Sequence, residues 1–445
     1  MYLEDDYIST IDWLLLFFLM PILYKISVYL IQKKSINPSI KKILIAFFWL
    51  KMLATILYAI YYQYIWGFGD TFNYYKSAYY IQSFSNSDFQ SFMRLLFNSV
   101  ASTLDLRQTG ANIDFILVFE SNVFQSRLIA AFMFLTQIKS YLHISIFFSF
   151  FSFLIIINAY LVFTRIFPGF HKQLAFAFLF FPSVIFWSSG LGKDMNVYTA
   201  VLGFISYIFQ IFFVKKNIFR HCLYTLAAGY LILIVKPFVL ISLLPSVLLG
   251  LMLYSHTKIK NPAYRVVFDL LIIVLGVSII LGWSAIISQN LTQYNLDNIY
   301  ENIANSNTNL QFEAGSAFNI GINAEEITST ADLLKFFPIG LATTLFRPWL
   351  WEVHNVSILF SAIESLFMLF LLLSSLDKIG VLPFLKKITS NPLLLLLLIY
   401  ALIFAGTIGI STSNFGSLVR YKITCMPFIV FSILYVRQKK IAVNL

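Results

Sequence analysis

Two short stretches next to apolar runs carry the acidic side chains best suited to chemistry. Asp70 stands in WGFGDTFNYYKSAYY, where Gly67 and Gly69 allow a tight turn. A carboxylate at a membrane boundary can act as a general base or bind a metal ion, and it can also simply cap the next helix. Asp194 follows Lys193 in FPSVIFWSSGLGKDMNV, where a turn between two helices with Asp194 as the cap is the alternative to a binding site.

Five cationic side chains accompany these acids on the same predicted side of the membrane. They are Lys193, Lys236, Arg347, Arg420 and Lys422. Basic residues normally collect in short cytoplasmic loops, so cations in outer loops indicate an anionic ligand, and a lipid phosphate is the simplest one at that depth. Arginine binds phosphate through paired hydrogen bonds and lysine as a point charge. For Lys236, an ammonium that reaches up to lipid headgroups is the alternative.

The stretch LFRPWLWEVHN combines aromatic and charged residues beside an apolar run. Anchoring at the membrane–water interface accounts for Trp349 and Trp351. It does not account for Arg347 and Glu352 in the same stretch. These charges therefore add to the candidate site, together with the neighbouring His354.

The remainder of the chain indicates a membrane protein that crosses the bilayer many times. Of 445 residues, 59% are hydrophobic and 11% are charged, whereas soluble domains have about 25% charged residues. Two cysteines and five histidines give no disulfide framework or metal-binding spacing, and no nucleotide-binding glycine-rich motif occurs. We therefore predict an all-α fold and a single integral membrane domain over residues 1–445. The net charge of +11 reflects membrane topology and gives no reason to expect a nucleic-acid partner.

About eleven apolar segments are long enough to cross a bilayer, which needs about 20 residues per helix. They are 13–32, 43–64, 141–163, 174–190, 195–214, 222–235, 238–255, 266–288, 356–376, 390–410 and 423–436. The short loops on one side hold most of the 31 basic residues, which predicts that the N-terminus lies outside and the C-terminus inside. Two long segments, near 66–126 and 289–355, would then form the outer face and the active-site side.

From Asp70 onward, the order of these features resembles the GT-C superfamily of glycosyltransferases, which use polyprenyl-phosphate sugars. GDTFNYYKSA looks like the acidic motif in the first large outer loop of that superfamily, with Asp70, Tyr74 and Ala78 in similar places. FPSVIFWSSGLGKDM stands where the superfamily has a second outer acid, here Asp194. The resemblance covers about residues 66–215. Asp70 follows the second predicted span, whereas the superfamily usually has this acid after the first.

The resemblance implies a GT-C-like bundle with outer juxtamembrane helices, in the cytoplasmic membrane of a bacterium, that acts in envelope polysaccharide or glycoconjugate synthesis. Its partners would be a polyprenyl-phosphate sugar donor and a glycan, lipid or protein acceptor, and the need for a divalent metal stays open. Asp70 would activate the acceptor hydroxyl, Asp194 or Glu352 would position the acceptor or hold a metal, and the five cations would bind the lipid phosphate. The predicted sugar or acceptor contacts are Tyr74, Trp349, Trp351, Glu352 and His354.

Other classes of protein stay open. An envelope oligosaccharide polymerase or ligase that uses lipid-linked glycans would depend on Arg347 and Arg420 more than on Asp70. A transporter or lipid flippase would need ionisable or broken positions within its spans. The candidates for such positions are Lys25, Lys51 and Glu364. A purely structural scaffold would leave the outer cations unexplained.

Overall fold

A computed structural model of the chain describes residues 7–67, 69–97, 120–290, 318 and 330–438. Every regular element in these ranges is a helix. Parts of the predicted outer segments, 98–119 and most of 291–329, lie outside the described residues. The chain forms two compact units, one from residues 1–167 and 185–236 and one from 168–184 and 237–445. The single integral membrane domain stays a prediction.

Eighteen α-helices follow one another along the described residues. They are α1 (Thr10–Gln32), α2 (Pro38–Ile60), α3 (Asp70–Ser87), α4 (Phe89–Phe97), α5 (Glu120–Thr136), α6 (Tyr141–Ile166), α7 (His171–Ala175), α8 (Pro182–Trp187), α9 (Lys193–Phe209), α10 (Ile218–Val235), α11 (Pro237–Lys258), α12 (Pro262–Asn290), α13 (Thr330–Phe346), α14 (Val356–Ile379), α15 (Val381–Thr389), α16 (Pro392–Ser411), α17 (Phe415–Lys422) and α18 (Met426–Arg437). Wider π-helical turns extend α2 to Trp66, α7 to Phe180 and α9 to Val214.

Eight helices of the described residues are long and apolar enough to cross a membrane, and the bent pair α17–α18 would make nine. The eight are α1, α2 with its extension, α6, α9 with its extension, α10, α11, α14 and α16. The structure therefore confirms the all-α class and agrees with a multi-pass membrane protein. The count of eleven spans, the orientation and the bacterial inner membrane stay predictions.

The predicted span 174–190 is not one continuous helix. It consists of α7 with its π-helical turn, an extended residue at Phe181 (φ −69°, ψ 127°), and α8, which begins at Pro182. Proline has no N–H to donate, and its ring disfavours the helical conformation in the residue before it. The helix is therefore interrupted at Phe181, although residues 174–190 are mostly apolar.

The first unit is held together by polar contacts between helices as well as by apolar packing. Thr55 of α2 donates a hydrogen bond to Ser149 of α6 (2.7 Å), and Ser152 of α6 bonds to Thr199 of α9 (2.6 Å). In lipid, close packing and hydrogen bonds between helices replace the hydrophobic effect as the source of association. These contacts fix α2, α6 and α9 as the frame of the unit.

In the second unit, small residues bring α13 and α16 into backbone contact. A Cβ atom placed on Gly409 would lie 1.8 Å from the carbonyl oxygen of Gly340, and one on Gly340 would lie 2.3 Å from that of Gly406. Only residues without a side chain allow such an approach. Thr344 of α13 adds a hydrogen bond to the carbonyl oxygen of Ala405 (2.6 Å). This packing fixes the end of α13, where Arg347 follows.

Candidate functional site

The two turns that carry Asp70 and Asp194 contact each other in the first unit. Thr71, the residue after Asp70, donates a hydrogen bond from its hydroxyl to the carbonyl oxygen of Leu191 (2.9 Å). The same hydroxyl bonds to that of Tyr141 (2.8 Å), and Thr71 is fully enclosed. The sequence could not show that these two turns meet, since they are separated by 120 positions.

The turn before Asp70 depends on two glycines with positive φ. Gly67 (φ +74°) ends the extension of α2, and Gly69 (φ +146°) precedes α3. A Cβ on Gly69 would lie 2.4 Å from the ring of Tyr62, so this position also requires a close approach. Asp70 is the first residue of α3, where a negative charge is favoured by the helix dipole. Its side chain is half-buried.

Lys193 is held above α3 by side chains of α5. Its ammonium donates hydrogen bonds to Asn122 (2.6 Å) and Ser121 (2.9 Å) and lies 5.7 Å from the centre of the Tyr74 ring. Tyr74 stands one helical turn after Asp70 and is buried. The cation of one turn thus lies next to the helix that Asp70 begins.

Asp194 and Lys236 form a buried ion pair. Asp194 lies in the first turn of α9, and Lys236 stands between α10 and α11; they are 5% and 6% exposed, respectively. Two charges pay a large desolvation cost at such burial unless they are paired and hydrogen-bonded. The ammonium of Lys236 therefore points into the unit and does not reach for lipid headgroups.

Aromatic side chains of Tyr7 and of α3 pack together next to the turn of Asp70. The ring of Tyr7 stacks on that of Phe72, with 4.0 Å between their centres. Tyr75 donates a hydrogen bond to the carbonyl oxygen of Lys139 (2.7 Å). Burial, with smaller contributions from the neighbouring Tyr79 and other acidic groups, raises the pKa of Tyr75, so this hydroxyl stays protonated and keeps its donor role.

The second unit contains the other predicted charges, centred on Arg347. Its guanidinium forms a two-point pair with the carboxylate of Glu352, which also accepts a hydrogen bond from the backbone N–H of Trp349 (2.8 Å). The guanidinium carbon lies 4.6 Å from the ring centre of Phe318 and 5.5 Å from that of Phe415. Arg347 is thus fixed by an acid and by two aromatic rings.

Two parallel tryptophans stand beside this pair. The rings of Trp349 and Trp351 are stacked, with centres 5.3 Å apart and planes inclined by 11°. They border a cleft of about 580 Å³ that is also lined by Arg347, Glu352 and one side of α13. Trp351 is 78% exposed, so its ring face is accessible to a ligand or to lipid.

The remaining predicted residues of this unit differ in accessibility. Lys422 is fully buried, and its ammonium donates to the hydroxyl of Ser365 (3.2 Å), which in turn donates to the carbonyl oxygen of Arg347 (2.9 Å). Arg420 is half-buried on α17, and His354 is exposed in the loop before α14. A role for Lys422 in phosphate binding would require this internal contact to change.

The predicted site residues thus fall into two groups, one in each unit. The first unit holds Asp70, Tyr74, Lys193, Asp194 and Lys236, and the second holds Arg347, Trp349, Trp351, Glu352, His354, Arg420 and Lys422. Sequence reasoning missed Thr71, Ser121 and Asn122, which make hydrogen bonds within the first group. Of these three, only Thr71 could have been chosen from the sequence, because it directly follows Asp70. Within the described parts of the chain, no three acidic, histidine or cysteine side chains lie close enough to hold a metal ion.

Comparisons with protein-family models, with curated proteins and with solved structures found no match for this chain. The fold and the site therefore define only a broad class: an all-helical protein in which at least eight helices of the described residues are able to cross a membrane. The likeness to GT-C enzymes rests on the sequence stretches around Asp70 and Asp194 alone. It stays a prediction.

Proposed function

We propose that this protein is a GT-C-like membrane glycosyltransferase. It would move a sugar from a polyprenyl-phosphate-linked donor to an acceptor on the outer face of a bacterial cytoplasmic membrane. The observation that carries the proposal is the hydrogen bond from Thr71 to Leu191, which brings the turn of Asp70 to the turn of Lys193 and Asp194. Ionisable groups gathered inside a membrane protein mark a functional site by default.

In the proposed reaction, Asp70 is the general base. Its carboxylate takes the proton of the acceptor hydroxyl as the acceptor oxygen bonds to the anomeric carbon of the sugar. The bond from that carbon to the phosphate oxygen breaks, and the polyprenyl phosphate leaves with the bonding electrons. Attack from the side opposite the leaving group inverts the configuration at the anomeric carbon.

Lys193 would stabilise the charge that develops on the leaving phosphate. A fixed ammonium needs no reorganisation when this charge appears, which is the basis of electrostatic catalysis. Ser121 and Asn122 already hold its position. Asp194 supports this arrangement through its pair with Lys236, which fixes the start of α9.

Asp70→Asn tests the proposal because it keeps the shape of the side chain and removes the base. We expect transfer of labelled hexose from undecaprenyl-phosphate hexoses, measured in vesicles, to fall about 100-fold or more. Stability should fall only slightly, by about 0.3–1 kcal/mol, because Asn loses the favourable interaction of the carboxylate with the start of α3. Asp88→Asn is the matched control, because Asp88 is an exposed acid at the other end of α3 and should retain full transfer.

An envelope oligosaccharide polymerase or ligase is the second candidate, favoured by the stacked tryptophans beside the Arg347–Glu352 pair. Flat aromatic faces suit stacking against the sugar rings of a glycan, and the Arg347–Glu352 pair offers polar groups beside them. This candidate predicts that Arg420→Ala stops product formation while Asp70→Asn retains full activity. It also predicts products that form a ladder of repeating units. Such a result would replace the transferase proposal.

A further inference from the structure

Lys51 is a buried lysine that the reaction above does not use, and it lies on a helix long and apolar enough to cross a membrane. It lies on α2, is fully enclosed, and its ammonium donates a hydrogen bond to the backbone carbonyl oxygen of Ser188 (2.6 Å). The hydroxyl of Ser188 is 3.4 Å away. Among the described residues, no carboxylate forms an ion pair with Lys51. An ionisable side chain enclosed within an apolar helix bundle is costly, and the partner of Lys51 is a neutral serine.

Ser188 begins the turn that leads to Lys193 and Asp194. It directly follows α8, and the last carbonyl groups of a helix have no partner within the helix. A cation is favoured at this end because the helix dipole is negative there. At the far end of the same turn, the carbonyl oxygen of Leu191 accepts the hydrogen bond of Thr71. Lys51 and Thr71 therefore hold the turn by one carbonyl at each end.

The same face of α2 packs against both turns of the site. Lys51, Tyr58 and Tyr62 are spaced by seven and four residues, which places them on one side of a helix. A Cβ on Gly190 would lie 2.2 Å from the ring of Tyr58, and one on Gly69 would lie 2.4 Å from the ring of Tyr62. One helix face thus supports the turn of Asp70 and the turn of residues 188–192.

We propose that Lys51 is a positioning residue that fixes residues 188–192 and thereby the places of Lys193 and Asp194. Its ammonium acts through the carbonyl of Ser188 and does not touch a substrate. What Lys193 then binds, the phosphate of a lipid-linked sugar, rests on the proposed function. The effect of Lys51 on the turn does not rest on it.

Lys51→Met tests this proposal in the full-length protein reconstituted in lipid nanodiscs. Hydrogen exchange of the backbone amides of residues 189–194 should speed up about tenfold, because the turn opens more readily. The Kd for undecaprenyl phosphate should rise about tenfold. Lys25→Met is the matched control, since it removes the same charge from an exposed position in α1; it should change neither measurement.

Three results would overturn the proposal. The first is exchange at residues 189–194 that stays at the wild-type rate in Lys51→Met. The second is exchange that speeds up equally throughout α6, because Lys51 would then serve general stability. The third is a Lys25→Met protein that changes both measurements as much as Lys51→Met does. A wild-type protein that does not bind undecaprenyl phosphate would refute the proposed function, while faster exchange confined to the turn would still support the role of Lys51.

Discussion

At the scale of single residues, the buried pair of Asp194 and Lys236 offers a direct test of how the site is held. Asp194→Asn would leave the ammonium of Lys236 buried without its counter-ion, at a cost of about 3–5 kcal/mol. We expect a clear fall in Tm for this variant and a similar fall for Lys236→Met. Thermal unfolding in detergent, followed by tryptophan fluorescence, measures both.

The double variant Asp194→Asn/Lys236→Met separates stability from function. Because it removes both charges, it should regain most of the lost stability. Sugar transfer should stay low, since the start of α9 and with it Lys193 has lost its anchor. Losses in the two single variants that simply add up in the double variant would show that the two residues are not coupled.

The sequence indicated which residues belong to this site better than it indicated which residues contact each other. Asp70, Lys193 and Lys236 could be chosen because charges at a membrane boundary are costly and call for a reason. Their contacts could not be predicted, because Lys236 and Asp194 are 42 positions apart and Lys51 and Ser188 are 137 positions apart. Periodicity and composition report only on the local environment of a residue.

At the scale of elements, the turn between α8 and α9 packs closely enough to be tested by a single methyl group. A Cβ on Gly190 would lie 2.2–2.4 Å from the ring of Tyr58, whereas one on Gly192 would come no closer than 3.7 Å to the Tyr58 hydroxyl. Gly190→Ala should therefore lower the free energy of unfolding by about 1–3 kcal/mol. It should also reduce transfer by displacing Lys193.

Gly192→Ala is the control for this prediction. Its backbone is extended (φ −149°) and its surroundings are open enough for a methyl group, so Tm and transfer should stay near wild type. Thermal unfolding and the hexose-transfer assay applied to both variants decide the matter. Equal effects of the two substitutions would mean that loss of glycine flexibility, rather than contact with Tyr58, matters in this turn.

The helices themselves were easier to predict than the breaks within them. The ends of long apolar helices such as α6 and α16 fall within three residues of the predicted spans, because lipid demands continuous apolar helices. The run 174–190 was predicted as a span because its composition is apolar. Its break at Phe181 follows from Pro182, a local effect that an average over 20 residues does not register.

At the scale of the whole molecule, this broken segment decides the topology. Each crossing reverses the side on which the next loop lies. If residues 171–187 cross the membrane, the basic loops around Lys216 and Lys260 lie on the same side as the loop around Lys34, which is the inner side in the predicted orientation. If these residues only entered and returned, Lys216 and Lys260 would lie outside and the turn of Lys193 inside. The hydrogen bond between Thr71 and Leu191 opposes this alternative, because it holds the turn of Lys193 beside the turn of Asp70. The charge distribution favours a crossing.

Cysteine labelling decides between these topologies. Lys216→Cys and Lys260→Cys, each introduced into a chain whose two native cysteines are replaced by serine, occupy exposed positions. We expect both to react with a membrane-impermeant maleimide only after the cells are opened. Ser87→Cys, exposed at the end of α3, should react in intact cells and serves as the control. Reaction of Lys216→Cys and Lys260→Cys in intact cells would place Lys193 on the cytoplasmic side and remove the basis for transfer on the outer face.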